Sequence, residues 1–470
     1  MKNTFKYQKE KKWPPLAWIA ICLPDHDLIT VHHGPDVDTR SEWFCEAAWD
    51  GEYADGNFDR TNTIFGSGCR IRGDDVYFIS SGFVSDRLQH IQIGRTWYIS
   101  NSLACLAAVL DLNFDPWYPW YYEDFSSITE GIDNYKPAIE TNQGEVKLTY
   151  YRNLLWDGVQ LSEIDKPQAA EKFHDFSSYH EFLSATLACL ASNLGAVERT
   201  FTYESVSTSS SGYDSLAVSV LSKAMNNHDV ICVPDDRIGR SDNGTELIKK
   251  LGMNPLVIDR NAWRDEAFAE APFIAADGCG RDAWLSAAHE HLPRRLLLTG
   301  NFGGWSWAIP ARNSPNNFYS ASPPGLSMSE FRLITGYLHC PVPCLGVEHI
   351  GTIRNIGASE EMQDWSIGGR YDRPIPRRII EQAGLLRGSF AVRKTATNIH
   401  LFRKNEFDRY MAGTASFRDY MQWLRKQSRL TPPPAEMTEL TVPARERIEI
   451  PLFRHMFPWA IEHVKQYYKG

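Results

Sequence analysis

The sequence predicts two successive domains: an α+β amino-terminal domain of layered β-sheets over residues 1–165, then an α/β domain with a parallel sheet and a helical carboxyl-terminal part over residues 166–470. Up to about residue 160 the chain runs in short extended segments set off by Gly, Asp and Asn turns. From about residue 170 helical and extended segments alternate, the mark of a parallel sheet covered by helices. A chain of 470 residues with 43% hydrophobic content buries the cores of roughly two or three ordinary domains.

In the first half "AWIAICL", "DVYFIS", "TWYISNS" and "EVKLTYY" read as strands, and "SLACLAAVL" as a short helix. In the second, "SYHEFLSATLACLASNL", "SLAVSVLSKAM", "GTELIKKLG" and "RDAWLSAAHEHL" have helical spacing. Between them "RTFTYESV", "DVICV", "NPLVI" and "RRLLLTG" are extended. Helices follow near "SMSEFRLITGYL", in "NEFDRYMAGTASFRDYMQWLRKQ" and at the carboxyl end. The proline-rich "RLTPPPAEMTELTVPARE" reads as a surface strap. No repeat of fixed period occurs.

Charge and cysteine usage narrow the function classes. The net charge is −9 and no long basic run follows the initial "KYQKEKK", so nucleic acid is not an expected partner. Nine cysteines without a CxxC pair read as reduced, mostly buried thiols of a cytoplasmic protein. The apolar run "WPPLAWIAICLP" is broken by Pro14 and Pro15 and is too short to span a bilayer, so a buried strand is expected there and no membrane association.

The stretch "STSSSGYDS", from Ser207 to Ser215, lies between a strand and a helix. In an open parallel sheet, ligands sit beyond the carboxyl ends of the strands, and a helix start at the first strand is an anion site. Ser209, Ser210 and Ser211 offer hydroxyls, Gly212 lets backbone approach closely, and Asp214 is suited to orient a divalent metal beside phosphate. Read from the loop alone, a Ser/Gly-rich turn that needs no ligand stands equal to this. No GxxxxGK[ST] occurs, which disfavours an ordinary P-loop enzyme.

The loop resembles the SGGxDS pyrophosphate loop of the ATP-pyrophosphatase superfamily, and the whole chain is similar to the asparagine synthetase family, whose relatives include β-lactam synthetases and lasso-peptide cyclases. "YFISSGFVSDRLQHIQIGRTWYISNSLACLAAV" resembles the end of that family's amino-terminal, Ntn-type glutaminase domain. "RRLLLTGNFGGWSW" falls where the family has a second, acidic glycine-rich loop, and "YDRPIPRRIIEQAGLLRGSFAVRKTA" resembles the region that brings a basic residue to the phosphates. The resemblance implies a degenerate glutaminase-like domain followed by an ATP-pyrophosphatase domain. It implies a ligase that uses ATP and Mg²⁺ to adenylate a substrate carboxylate, releases pyrophosphate and transfers the acyl group to an amine. Ser209, Ser210, Ser211, Gly212, Tyr213, Asp214 and Ser215 would then hold the phosphates, Asp214 the magnesium, and Lys394 would be the cation near the leaving group. Arg373, Arg377 and Arg378 are alternative cations, and Glu360 or Glu361 is a candidate base for the incoming amine.

Two departures from the family's pattern qualify this. No cysteine precedes Cys22, so ammonia from glutamine is not expected, and free ammonia, an amine or an amino group of the same substrate takes its place. The family's second acidic positions fall on Asn301 and Gly304, neither of which carries a carboxylate; Asp277, Asp282, Asp235 and Asp236 are the available substitutes. The rival reading is a nucleotide-binding pseudoenzyme or scaffold, and a peptide macrolactam cyclase differs from the ligase only in substrate. A small-molecule or peptide carboxylate and an amine are the expected partners, with a homodimer left open. His289 and His291, at i,i+2, do not share a helical face and read as surface or packing residues. The aromatic run "DPWYPWYYEDF" reads as a packed edge, and Asn243 as a turn into the following helix.

Overall fold

Period-two alternation in the amino-terminal third produces two sheets packed face to face. The computed structural model describes residues 3–235, 239, 241–309, 325–369, 371–390, 398–401, 403–430 and 454–469. The first sheet has the spatial order Thr4–Lys9, Leu28–His33, Trp18–Cys22, Thr96–Ser100, Arg87–Ile93, Gly144–Tyr150 and Ala138–Thr141. The second runs Leu161–Ile164, Asn153–Trp156, Asp75–Ile79, Ile64–Arg72, Trp43–Trp49 and Asp38–Thr39. Neighbours are antiparallel except Thr4–Lys9 beside Leu28–His33. Trp18, Ala20, Val31 and Ile99 of one sheet meet Phe44, Ile71, Phe78 and Trp156 of the other. The four expected strands are all present, and the Ser102 hydroxyl caps the helix Leu103–Val109 by accepting from the Cys105 amide at 2.9 Å.

The second half holds a five-stranded parallel sheet in the order Asn254–Val257, Asp229–Cys232, Glu204–Ser209, Arg295–Thr299 and Leu338–Pro341. Alternate residues point to opposite faces. Val230, Cys232, Leu296 and Leu298 pack with Leu183, Leu187 and Leu190 of the helix Phe176–Leu194 and with Leu216 of the helix Tyr213–Leu221. Val206, Ile231 and Leu297 share the other core with Phe273, Ile274 and Leu285. Both faces are therefore covered, which a parallel sheet requires. The segment 281–292 departs from the α-helix its spacing predicts. Residues Ala283–His291 wind as a 3₁₀ helix, with i→i+3 bonds such as Leu285 N to Asp282 O at 2.8 Å, because Asp282 is pinned at the first turn by Ser327 and Asn398.

The aromatic run packs as an edge: Tyr121 lies 4.5 Å from Phe457 of the helix Met456–Val464, which returns to the amino-terminal half. None of the nine cysteines, all of them described, is in a disulfide, and only Cys189 is exposed. Among the described residues no helix is long and apolar enough to cross a membrane.

The two halves are locked by a buried guanidinium. Arg332, in the helix Ser329–Thr335, donates to both carboxylate oxygens of Glu46 at 2.6 and 3.1 Å and to Asp86 at 2.9 Å. Burial works against its charge, yet Asp86 and Glu46 hold it protonated well above the ordinary arginine value. Arg332→Met strands two buried carboxylates, for an expected loss of about 3–5 kcal/mol in urea unfolding; a loss below about 1 kcal/mol would show that the triad is not what joins the halves.

Among the described residues Lys166 is buried without a carboxylate partner, donating to the Ser80 carbonyl and the Asn153 side chain, each at 2.8 Å. Burial pushes its pKa from 10.5 down to about 7. Between those values the unfolded chain binds a proton that the folded chain does not, so the penalty fades as pH rises through the window. Wild type should gain stability relative to Lys166→Met between pH 7 and about pH 10, read from urea midpoints at each pH; parallel profiles would show that Lys166 keeps its proton when folded.

Candidate active site

The strand order places the first strand of the parallel sheet in the middle, so the chain leaves Glu204–Ser209 toward Asp229–Cys232 on one side and later returns at Arg295–Thr299 on the other. A crevice must open at the carboxyl ends where the connections diverge. A cavity of about 310 Å³ lies there, lined by Ser209, Ser210, Gly212, Asp214, Ser215, Asp242, Asn301 and Gly304 among others.

The serine loop is braced from within. Ser210 N donates to Ser215 Oγ at 3.0 Å, Gly212 N to Ser210 Oγ at 3.1 Å, and Ser211 donates through its amide to the Asp242 carbonyl at 3.0 Å and through its hydroxyl to the Asp242 carboxylate at 2.5 Å. Gly212 is extended at the helix N-cap, and no side chain caps the turn beginning at Tyr213. The first-turn amides carry the helix's partial positive charge without an acceptor from a capping side chain among the described residues. Tyr213 itself turns away from the cavity: its ring stacks on Tyr371 at 5.1 Å and its hydroxyl accepts from Arg377 at 2.6 Å.

The loop after the fourth strand packs directly on this turn, and glycines allow it. A Cβ at Gly300 would lie 2.7 Å from Ser215 N, one at Gly303 2.5 Å from Asp214 Cγ, and one at Gly304 2.7 Å from an Arg373 nitrogen. Phe302 between them holds φ +68°, a left-handed conformation that strains a bulky residue, and its ring is anchored 4.4 Å from Phe83.

One wall of the cavity is apolar, formed by Ile231, Val233, Trp284, Leu285, Leu297 and Met328. Arg281, Asp282, Asn398 and His400 also line the cavity. Asp282 accepts from Ser327 Oγ at 2.5 Å and from Asn398 at 2.5 Å, and burial raises its pKa. Arg281 contacts the Tyr122 hydroxyl, and burial lowers its pKa to about 10.

The expected site residues divide. Ser209, Ser210, Gly212, Asp214 and Ser215 line the cavity, and Ser211 braces it through Asp242. Glu360 and Glu361 lie outside the lining, on the 3₁₀ turn Glu360–Trp365. Glu361 accepts from the Phe176 amide at 2.9 Å and pairs with Arg378 at 3.1 Å. Lys394 lies outside the described residues, as does Asp236. Asp277 is buried behind the cavity, accepting from the amides of Cys279 and Gly280 at 2.7 and 2.8 Å, and burial raises its pKa to about 7. Asp235 forms a bridge with Ser241. Among the substitute carboxylates that are described, Asp282 is on the cavity lining. Of the three alternative arginines, Arg373 reaches the cavity. Asp242 and the Arg281–His400 cluster carry no motif of their own, and only the fold gathers them, whereas Asn301 stands in the glycine-rich loop of "RRLLLTGNFGGWSW".

Magnesium does not fit the side chains as they stand. Asp214 Oδ2 is engaged by Arg373, while Oδ1 is buried without a partner among the described residues and packs against Gly303. Gly304 adds no carboxylate, and among the described residues no three His, Cys, Asp or Glu side chains gather to hold a metal ion.

No protein-family model matches the chain, and no curated protein matches it.

Gly303→Ala drives a methyl group into Asp214, and the expected cost is about 1–3 kcal/mol by urea unfolding. An unchanged midpoint would mean that the two loops are not in contact.

Proposed function

We propose that the protein binds ATP in this cavity and acts as an AMP-forming amide ligase of the asparagine synthetase type, working on a carboxylate and an amine without glutamine. The observation that carries the reading is an uncapped helix start, braced by serines, at the crevice where the parallel strands diverge, beside an apolar wall that suits a nucleobase. The amides of Tyr213, Asp214 and Ser215 would face the phosphate chain, with the hydroxyls of Ser209, Ser210 and Ser215 beside it. Arg281 and His400, also on the lining, would supply polar groups for a carboxylate substrate.

In the first step a substrate carboxylate oxygen attacks the α-phosphorus, the bond from that phosphorus to the bridging oxygen breaks, and pyrophosphate leaves with the electron pair. Aimed amides and a guanidinium stabilise the charge that builds on it. In the second, an amine attacks the acyl carbon of the acyl-adenylate, AMP departs with the bonding pair, and the amine gives up a proton. His400, on the cavity lining, is the candidate acceptor.

The Arg373–Asp214 pair, with Gly304 beside it, favours a second reading: a nucleotide-binding scaffold that holds ATP without turnover. Calorimetric titration with ATP should give binding in the micromolar range, and ATP–pyrophosphate exchange across a panel of carboxylates should then separate the two readings. Exchange with any member establishes carboxylate adenylation, the ligase's first step, binding without exchange across the panel favours the scaffold, and no heat even at millimolar ATP would sink both.

A further inference from the structure

Asp214 stands in the first turn of the helix Tyr213–Leu221 and lines the cavity, and an unpaired carboxylate there would repel a phosphate chain. It is not unpaired. Arg373 Nη1 donates to Asp214 Oδ2, and the guanidinium lies over the Tyr371 ring at 4.5 Å. Its side chain is 6% exposed yet borders the cavity. Among the described residues this carboxylate is its hydrogen-bond partner, which leaves N–H donors of the same rigid fork for a ligand. Burial lowers the Arg373 pKa to about 10, so the group stays charged at neutral pH.

The space around the fork supports the same assignment. A Cβ at Gly304 would come within 2.7 Å of Arg373 Nη2. A carboxylate-bearing residue at 304 and this position of Arg373 therefore exclude each other. The glycine and the arginine form one arrangement, with an organic cation beside Asp214 where the family resemblance implies a metal ion.

We infer that the Arg373 guanidinium takes the place of a divalent cation, so that the site binds the phosphate chain of a nucleotide as the free anion and not as a metal chelate; this rests on the nucleotide reading above. Pairing with Asp214 cancels the carboxylate's charge and orients the fork, and charge-assisted N–H donors then meet phosphate oxygens.

The test is calorimetry with ATP in EDTA and in excess Mg²⁺, on wild type, Arg373→Gln and the double variant Gly304→Asp/Arg373→Ala, with melting curves to verify folding. Wild-type affinity should agree within about twofold in the two buffers, and Arg373→Gln should weaken binding by about tenfold or more in both. The double variant should recover binding in Mg²⁺ alone. Wild-type binding that EDTA abolishes would overturn the role of Arg373 and leave the nucleotide reading standing. Absence of binding in both buffers would overturn the nucleotide reading and this inference with it. The wild-type comparison needs no variant, so a misfolded Arg373→Gln protein does not shield the inference.

Discussion

A guanidinium with no access to water must find carboxylates, and Arg332 finds both of its partners in the amino-terminal half of the chain. That requirement orients the segment around it. Gly325, with φ +94°, sits where a Cβ would lie 3.1 Å from the His339 ring and 3.4 Å from the Ser85 side chain. The residues between Gly325 and Arg332 carry Ser327, which fixes Asp282, and Met328, which lines the cavity. His339, on the edge strand, bonds Thr299 at 2.9 Å, and burial lowers its pKa to about 4, so it is neutral. The β-sheet half thus acts as a rigid wall behind the site. Its two sheets contribute no residue to the cavity lining, but they set where one side of it stands.

Strand order does the rest. Once the first strand lies centrally, its carboxyl end and that of the fourth strand are neighbours, and their loops must share one space. Gly300, Gly303 and Gly304 resolve the crowding by removing side chains at the three contacts. Phe302 absorbs the remaining strain in a left-handed backbone held by its ring. Close approach of the loops, which the glycines permit, is what presses Asp214 and Arg373 together at the end of the crevice.

Much of this was legible in the sequence because it is local. The short apolar segments "DVICV" and "RRLLLTG", alternating along the chain with helical ones, marked strands that are buried on both faces, and the serine run marked the turn at the head of the helix Tyr213–Leu221. The edge strands Thr4–Lys9 and Leu338–Pro341 escaped because one is polar and the other is four residues long and ends at a proline. The 3₁₀ winding of Ala283–His291 escaped because its cause, the anchoring of Asp282 by Ser327 and Asn398, comes from residues 45 and 116 positions away. Among the arginines of "YDRPIPRR", spacing does not tell which enters the cavity. The fold sends Arg377 to the Tyr213 ring and Arg378 between Phe176 and Trp365, leaving Arg373 for Asp214.

A guanidinium and a hydrated divalent ion differ in what they do as pyrophosphate leaves. A metal ion can shift with its ligand and shed or gain waters as charge builds on the departing oxygens. Arg373 is stacked on Tyr371 and tied to Asp214, so its donors stay where the ground state needs them. Binding that is equal in the ground and transition states lowers no barrier; only interactions that strengthen along the reaction do. On the proposed nucleotide reading, a site organised around Arg373 would favour holding a nucleotide over expelling pyrophosphate, unless the amides of the first helical turn came into better alignment with the leaving oxygens as they moved. The balance between ligase and scaffold turns on that geometry.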